Sequence, residues 1–280
     1  MVIIVLCAVP AVAADNHKPQ LYDFHGSPVD PLCFLSNHGT QDNPVYPTVD
    51  CEPDGIVNIG NSPLDERFVA VSYEEEHCDP EVADECFSTY GFIGYRAIGM
   101  VEYQGRDLMA LWIVENGGGS GVFHTLMLVD PVRDEETHSL TYHHVETLVS
   151  GDRCMGGIAS AQIDPENKDL IYRVHTTMAD MFLLVGDAER DVLSYEGYKD
   201  LPFCAVCCYA QAEYSLEELR GLEFTSERYE SFEDVDESEA CVENLVALNV
   251  KNSQSYFGKE ALETFIRELE HVCLGRMEGE

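Results

Sequence analysis

The 280-residue chain sets 16 Lys and Arg against 52 Asp and Glu, a formal net charge of −36, with 45% hydrophobic residues. The hydrophobic share is ordinary and supports one large domain, or one domain with an appendage. The acidity argues against nucleic acid and anionic lipid as partners, because no basic patch offsets phosphate repulsion. It favours a cation, a basic protein or envelope component, or a saline medium that screens self-repulsion within about 8 Å or less.

Residues 1–14 read as a signal peptide. Val2 to Val9 form an apolar run, too short for the roughly 20 residues that span a bilayer, and Ala11-Val12-Ala13 has the small-x-small cleavage pattern. The mature chain is expected to begin at Ala14 or Asp15. The lack of Lys and Arg before the apolar run points to a natural start further upstream, and the bulky Leu6 before Cys7 argues against lipidation. The expectation is an exported protein, periplasmic or secreted, with no transmembrane span.

Setting Cys7 aside leaves ten cysteines: Cys33, Cys51, Cys78, Cys86, Cys154, Cys204, Cys207, Cys208, Cys241 and Cys273. An even number in an exported chain reads as a disulfide framework. Cys33 with Cys51, Cys78 with Cys86, and Cys241 with Cys273 are the favoured pairs, and Cys154 is the candidate partner for the Cys204-Ala205-Val206-Cys207-Cys208 cluster. That cluster lacks the second Cys pair of a zinc site, and the extended pattern after it does not suit a thioredoxin-like motif. Structural disulfides are the reading.

Residues 15–53, rich in Pro, Asp, Asn and His, form an irregular, disulfide-anchored arm. A β-rich domain follows over 54–226, with strands expected at 56–59, 67–73, 90–103, 107–115, 122–129, 140–148, 158–163, 170–175 and 209–216, and an acidic loop at 74–85. Gly91, Gly94 and Gly99 suggest a bulged or bent strand. Asp164 to Lys168 are turn formers, and 178–185 is ambiguous between helix and strand. Residues 227–280 hold an acidic loop and a helical pair. Val242, Leu245, Val246 and Asn249 mark the first helix. Leu262, Phe265, Ile266, Leu269, Val272 and Cys273 mark the second, with Asn252 and Ser253 before it and Gly275 after. The fold class is α+β, mainly antiparallel β-sheet with a C-terminal helical pair.

Between two apolar runs lies Asn116-Gly117-Gly118-Gly119-Ser120-Gly121. Val122 denies Ser120 the Gly-x-Ser-x-Gly elbow of a serine hydrolase. A phosphate loop would need a Lys and a following helix, where a strand is expected. A hairpin turn remains. Asp50, Glu52 and Asp54 resemble the first ligands of a calcium loop, but Asn61 stands where the bidentate Glu belongs, so only weak calcium binding is expected. His124, His138, His143, His144 and His175 fall in or beside strands that could gather two or three of them. His143 and His144 would point to opposite faces of a regular strand. Arg96, Arg106, Arg133, Arg153 and Arg173 read as salt-bridge partners for the surrounding acids.

Over about 107–216 the chain resembles a group of exported bacterial proteins of uncharacterised function. The matching residues are Asn116, Gly118, Gly119, Ser120, Gly121 and Phe123, then Gly151-Asp152-Arg153, then Cys207-Cys208. Cys154 directly after Gly-Asp-Arg departs from that pattern. The resemblance implies an exported module outside known enzyme classes and supplies no catalytic residues. The reading is an exported, acidic, disulfide-stabilised, non-catalytic protein that binds an envelope component, a protein or a cation. The alternative is a hydrolase using a carboxylate pair, which a deep cleft holding two carboxyls, one with a raised pKa, would favour.

Overall fold

The computed structural model describes residues 21–23, 25–35, 45–47, 56–78, 86–185, 201–216, 218–224, 237–251 and 255–274. Alternating apolar residues and short turns make an antiparallel meander of β2 (Ile56–Asn61), β3 (Val69–Cys78), β4 (Cys86–Tyr103), β5 (Arg106–Asn116), β6 (Phe123–Asp134) and β7 (Ser139–Asp152). The short β1 (Val45–Pro47) pairs with β7, giving a seven-stranded sheet in the order β1-β7-β6-β5-β4-β3-β2. A second sheet has the order β12-β11-β10-β9-β8. Its strands are β8 (Ile158–Ile163), β9 (Leu170–Thr176), β10 (Ala210–Ser215), β11 (Glu218–Phe224) and β12 (Tyr256–Gly258). The described residues also form the α-helices α1 (Met178–Leu183), α2 (Glu237–Lys251) and α3 (Lys259–Cys273). The class is therefore α+β, mainly antiparallel, with a C-terminal helical pair.

Apolar faces fix the layers. One face of the large sheet packs Tyr73, Ile93, Tyr95, Leu111 and Met127 against Leu21, Val29, Leu32 and Phe34. Its other face packs Trp112, Leu126 and Leu128 against Ile158, Leu170, Tyr172 and Val174 of the small sheet. The same face of the small sheet continues through Ala212, opposite Val174, and Leu222, opposite Ala212. There it is covered by Met181 and Phe182 of α1, Val242 and Val246 of α2, and Phe265 and Leu269 of α3. Cys241 and Cys273 bridge α2 to α3.

The described part of the 15–53 segment packs against the large sheet as its cover. Residues 31–34 form a 3-10 turn, with Pro31 placed at its start and capped by the Asp30 carboxylate, and all four residues are buried. The Tyr95 hydroxyl donates to the Val29 carbonyl at 3.0 Å, and Tyr142 to the Tyr22 carbonyl at 3.2 Å. An apolar sheet face needs a cover, and these residues supply it.

Strand β3 runs on through Glu74, Glu75 and Glu76, where a loop was expected, because β4 pairs with it as far as Cys78 opposite Cys86. Edge-side acids are tolerated there because their side chains reach water. Of the three β4 glycines, Gly99 carries the bulge, at φ +151°. A Cβ on Gly94 would lie 2.6 Å from both Ala70 and Leu64, so this glycine permits close packing. The ambiguous segment is helix α1, started by a capping box between Thr177 and Asp180. Asn252 and Ser253 lie outside the described residues, and the N-cap of α3 is Gly258, because β12 intervenes.

Candidate functional site

Three segments far apart in sequence meet at one end of the sheets: the glycine turn, Gly151-Asp152-Arg153, and the 204–208 cysteines. The turn closes β5 onto β6, with Glu115 opposite Phe123. The buried Asn116 side chain organises it. Its amide donates to the Gly119 carbonyl at 2.8 Å and to the Gly121 carbonyl, and its Oδ1 accepts from the Gly118 amide at 2.9 Å. Asn116 thereby satisfies turn groups that no strand partner reaches. Gly117, Gly118, Gly119 and Ser120 are exposed.

Asp152, at the end of β7, pins the turn from the next strand. Its Oδ1 accepts from the Val122 amide at 2.9 Å and from Arg153 Nε at 3.0 Å, and the Arg153 amide donates to the Val122 carbonyl at 3.3 Å. Burial works to raise the Asp152 carboxyl, but the Arg153 and Val122 hydrogen bonds outweigh it and hold the group below the usual range. The chain then folds back on itself, with Asp152 and Met155 exchanging backbone hydrogen bonds of 3.1 and 2.7 Å.

From that turn the chain reaches the small sheet. The Gly156 amide donates to the His175 carbonyl at 3.2 Å, and the His175 amide to the Gly157 carbonyl at 2.8 Å. Cys154 is bridged to Cys208, and Cys204 to Cys207. Cys33 and Cys86 are also disulfide-bonded. Cys51, Asp50, Glu52 and Asp54 lie outside the described residues. Among the described residues, no three His, Cys, Asp or Glu side chains group to hold a metal ion.

His124 sits beside this junction, with its ring 5.9 Å from that of Trp112 and its Nδ1 buried without a hydrogen-bond partner. Burial and then His175 push it down to about 4, with Asp152 opposing. Since the unfolded imidazole titrates near its ordinary value of about 6.5, the unfolded chain takes up the proton first. Stability should thus fall as pH drops from about 6.5 to about 4 and level off below. His124→Gln should reduce the loss between pH 7 and 4.5 by about 2 kcal/mol, after discount for partial exposure, as read from urea midpoints. The slope that remains belongs to His144 and His175, which burial also lowers. An unchanged slope would contradict this assignment.

The other histidines do not assemble. His143 bonds Thr141 at 3.0 Å and His144 bonds Thr147 at 2.8 Å, each on its own strand. Of the arginines expected to pair, Arg106 meets Asp130, Arg153 meets Asp152, and Arg173 meets both Glu213 and Glu223. Arg96 buries its Nε without a hydrogen-bond partner, and the Asp65 carboxylate acts on its charge.

A cleft of about 600 Å³ between the β4–β5 and β8–β9 turns is lined by Met100, Glu102, Asp107, Lys168 and Asp169 among others. Asp169 there already accepts from Ser215 and pairs with Arg220. Glu115, which burial pushes up, lies eight residues along β5 from Asp107. At strand rise that is about 26 Å. A raised carboxyl and a carboxylate-bearing cleft are both present, but at opposite ends of one strand.

Beside the glycine turn an exposed rim extends past the small sheet. A Cβ on Gly118 would lie 2.9 Å from the Tyr90 carbonyl, so the turn rests directly on the β4 backbone. Tyr90 faces Glu74, and Glu74 faces Val57, in one row across β4, β3 and β2. The Tyr90 hydroxyl donates to Glu74 Oε1 at 3.2 Å, while Val57 is 61% exposed and Tyr90 59%. Sequence reading missed this rim because it placed 74–85 in a loop. The alternation of Ser72, Glu74 and Glu76 with Tyr73 and Glu75 was the available signal.

Fold and site together define a disulfide-bonded, two-sheet α+β protein in which, among the described residues, no helix is long and apolar enough to cross a membrane. No family model, no curated protein and no solved structure matches the chain.

Proposed function

We propose that this is an exported binding protein that captures a basic, extended polypeptide segment on the rim formed by Val57, Glu74, Tyr90 and the glycine turn. The row Val57–Glu74–Tyr90 carries the reading: two exposed apolar side chains flank a carboxylate already oriented by the Tyr90 hydroxyl. Such a row offers apolar contact to alternate residues of an extended partner, while Glu74 and the surrounding acids attract Lys or Arg elsewhere along it. The excess of acids, 52 against 16 bases, steers a basic partner toward it and repels an acidic one. Export is supported by the signal-like residues 1–14 and by the disulfides. Kinship with the exported bacterial group belongs to the same proposal, supported by the meeting of Asn116, Asp152 and Cys208 at one end of the fold. A hydrolytic carboxylate pair gains no support from Glu115 and the distant cleft.

The test is calorimetric titration of the full chain with an alternating Lys-Val decapeptide. Binding should weaken about tenfold in Tyr90→Ala, weaken in high salt, and vanish for an alternating Glu-Val decapeptide. Equal affinity in wild type and Tyr90→Ala would refute the rim as the site. Heat on adding calcium with none on adding the peptide would instead identify a cation binder.

A further inference from the structure

Cys204-Ala205-Val206-Cys207 is a closed four-residue ring, with the Cys207 amide donating to the Cys204 carbonyl at 3.1 Å in a tight turn. The two sulfur-bearing residues are unequally placed. Cys204 is half-buried and reachable, whereas Cys207 is 3% exposed. Phe203 at 52% exposure and Val206 at 62% flank the reachable side as an apolar collar. Large apolar side chains held out in water beside a disulfide suit contact with an unfolded polypeptide.

The base of this ring is fixed independently. Cys208 is bridged to Cys154, and the Cys154 amide donates to the Ala205 carbonyl at 3.3 Å. Opening Cys204–Cys207 therefore leaves the loop tethered. Among the three bridges Cys154–Cys208, Cys204–Cys207 and Cys241–Cys273, the four-residue ring constrains the unfolded chain least in chain-entropy terms, and the bridge across 54 residues constrains it most. A bridge that is accessible, backed by a second one and small in its chain-entropy contribution is placed for chemistry.

We propose that Cys204–Cys207 is a thiol–disulfide exchange site that oxidises dithiols of unfolded polypeptides. A client thiolate attacks Cys204 Sγ, forming a mixed disulfide and expelling Cys207 as a thiolate. The client's second thiolate attacks the client sulfur of that mixed disulfide and expels Cys204. The client gains one disulfide, Cys204 and Cys207 become a dithiol, and two electrons and two protons pass between them. A low-molecular-weight disulfide, reduced in turn to two thiols, restores the bridge by the same exchange. The proposal uses residues apart from the peptide-binding rim, so either reading can fail alone.

The full chain is added to reduced, denatured ribonuclease A in a glutathione redox buffer, and recovered nuclease activity is followed. Recovery should be at least about fivefold faster than in buffer alone, and Cys204→Ser with Cys207→Ser should return it to the buffer rate. Cys207→Ser alone removes the bridge that a client thiolate attacks and should likewise return recovery to the buffer rate. Equal recovery with wild type and the double variant overturns the proposal. Should the double variant fail to fold, stepwise reduction of the wild type with differential alkylation decides. Labelling of Cys204 and Cys207 before Cys154, Cys208, Cys241 and Cys273 supports the site, and simultaneous labelling of all six overturns it.

Discussion

Replacing Cys154 and Cys208 together by Ser should cost about 4 kcal/mol of stability, the largest effect expected of any bridge in the described residues. The bridge spans 54 residues, and its closure removes correspondingly more freedom from the unfolded chain than the 32-residue span of Cys241–Cys273. At this chain length the melting temperature should fall by roughly 10 °C, followed by circular dichroism under non-reducing conditions. Cys204→Ser with Cys207→Ser should cost only about 2 kcal/mol, because its ring holds four residues. The ordering matters more than either figure. A larger loss from the short ring would mean that Cys204–Cys207 holds the fold, contrary to the exchange chemistry assigned to it.

The second large effect belongs to a single methyl group. A Cβ on Gly157 would overlap the backbone carbonyl of Arg153, in the turn that carries Asp152 to the small sheet. Backbone cannot move aside as a flexible side chain does, so the 152–157 turn must open. Opening strains the Val122–Asp152 bond, the Asp152–Met155 bridge and the Gly157–His175 bond together. Gly157→Ala should therefore destabilise by about 3 kcal/mol. Gly117→Ala is the matched control. Nothing lies within 4 Å of its added Cβ, and a change below about 0.5 kcal/mol is expected. Chemical denaturation of both variants distinguishes a built junction from a merely flexible one.

Much of the fold is legible in the sequence, and the failures share a cause. Strands β5 and β6, the hairpin between them, and helices α2 and α3 follow from local period and turn chemistry. What the chain does not advertise locally is pairing over distance. Strand β1 has three residues and is held by β7 almost a hundred positions later, so its strand character lies in the partner. Leu21, Val29 and Phe34 look like scattered apolar residues in a polar arm until the face bearing Tyr95 and Leu111 requires a cover. Glu218 to Phe224 carry Gly221 and two acids at ends and centre, a weak strand signal rescued by pairing on both sides.

The site divides in the same way. The glycine turn was readable as a hairpin from its flanking strands, and Gly151-Asp152-Arg153 as a second marker. Their contact was not readable, because 30 residues separate Val122 from Asp152 and β6–β7 pairing brings them together. The rim was hidden by composition. Three consecutive glutamates suggest a solvated loop, whereas alternation puts Glu74 in a row with Val57 and Tyr90 and sends Glu75 to the opposite face.

The central claim is that this rim, with the glycine turn seated on it, is the surface the protein presents to a partner. Amide hydrogen exchange of the full chain with and without the alternating Lys-Val decapeptide tests it most directly. Protection should rise at Ile56–Asn61, at residues 88–91 and at residues 117–121, leaving α2, α3 and the Arg173–Glu213–Glu223 face unchanged. Protection confined to the helices or to that charged face would contradict the account.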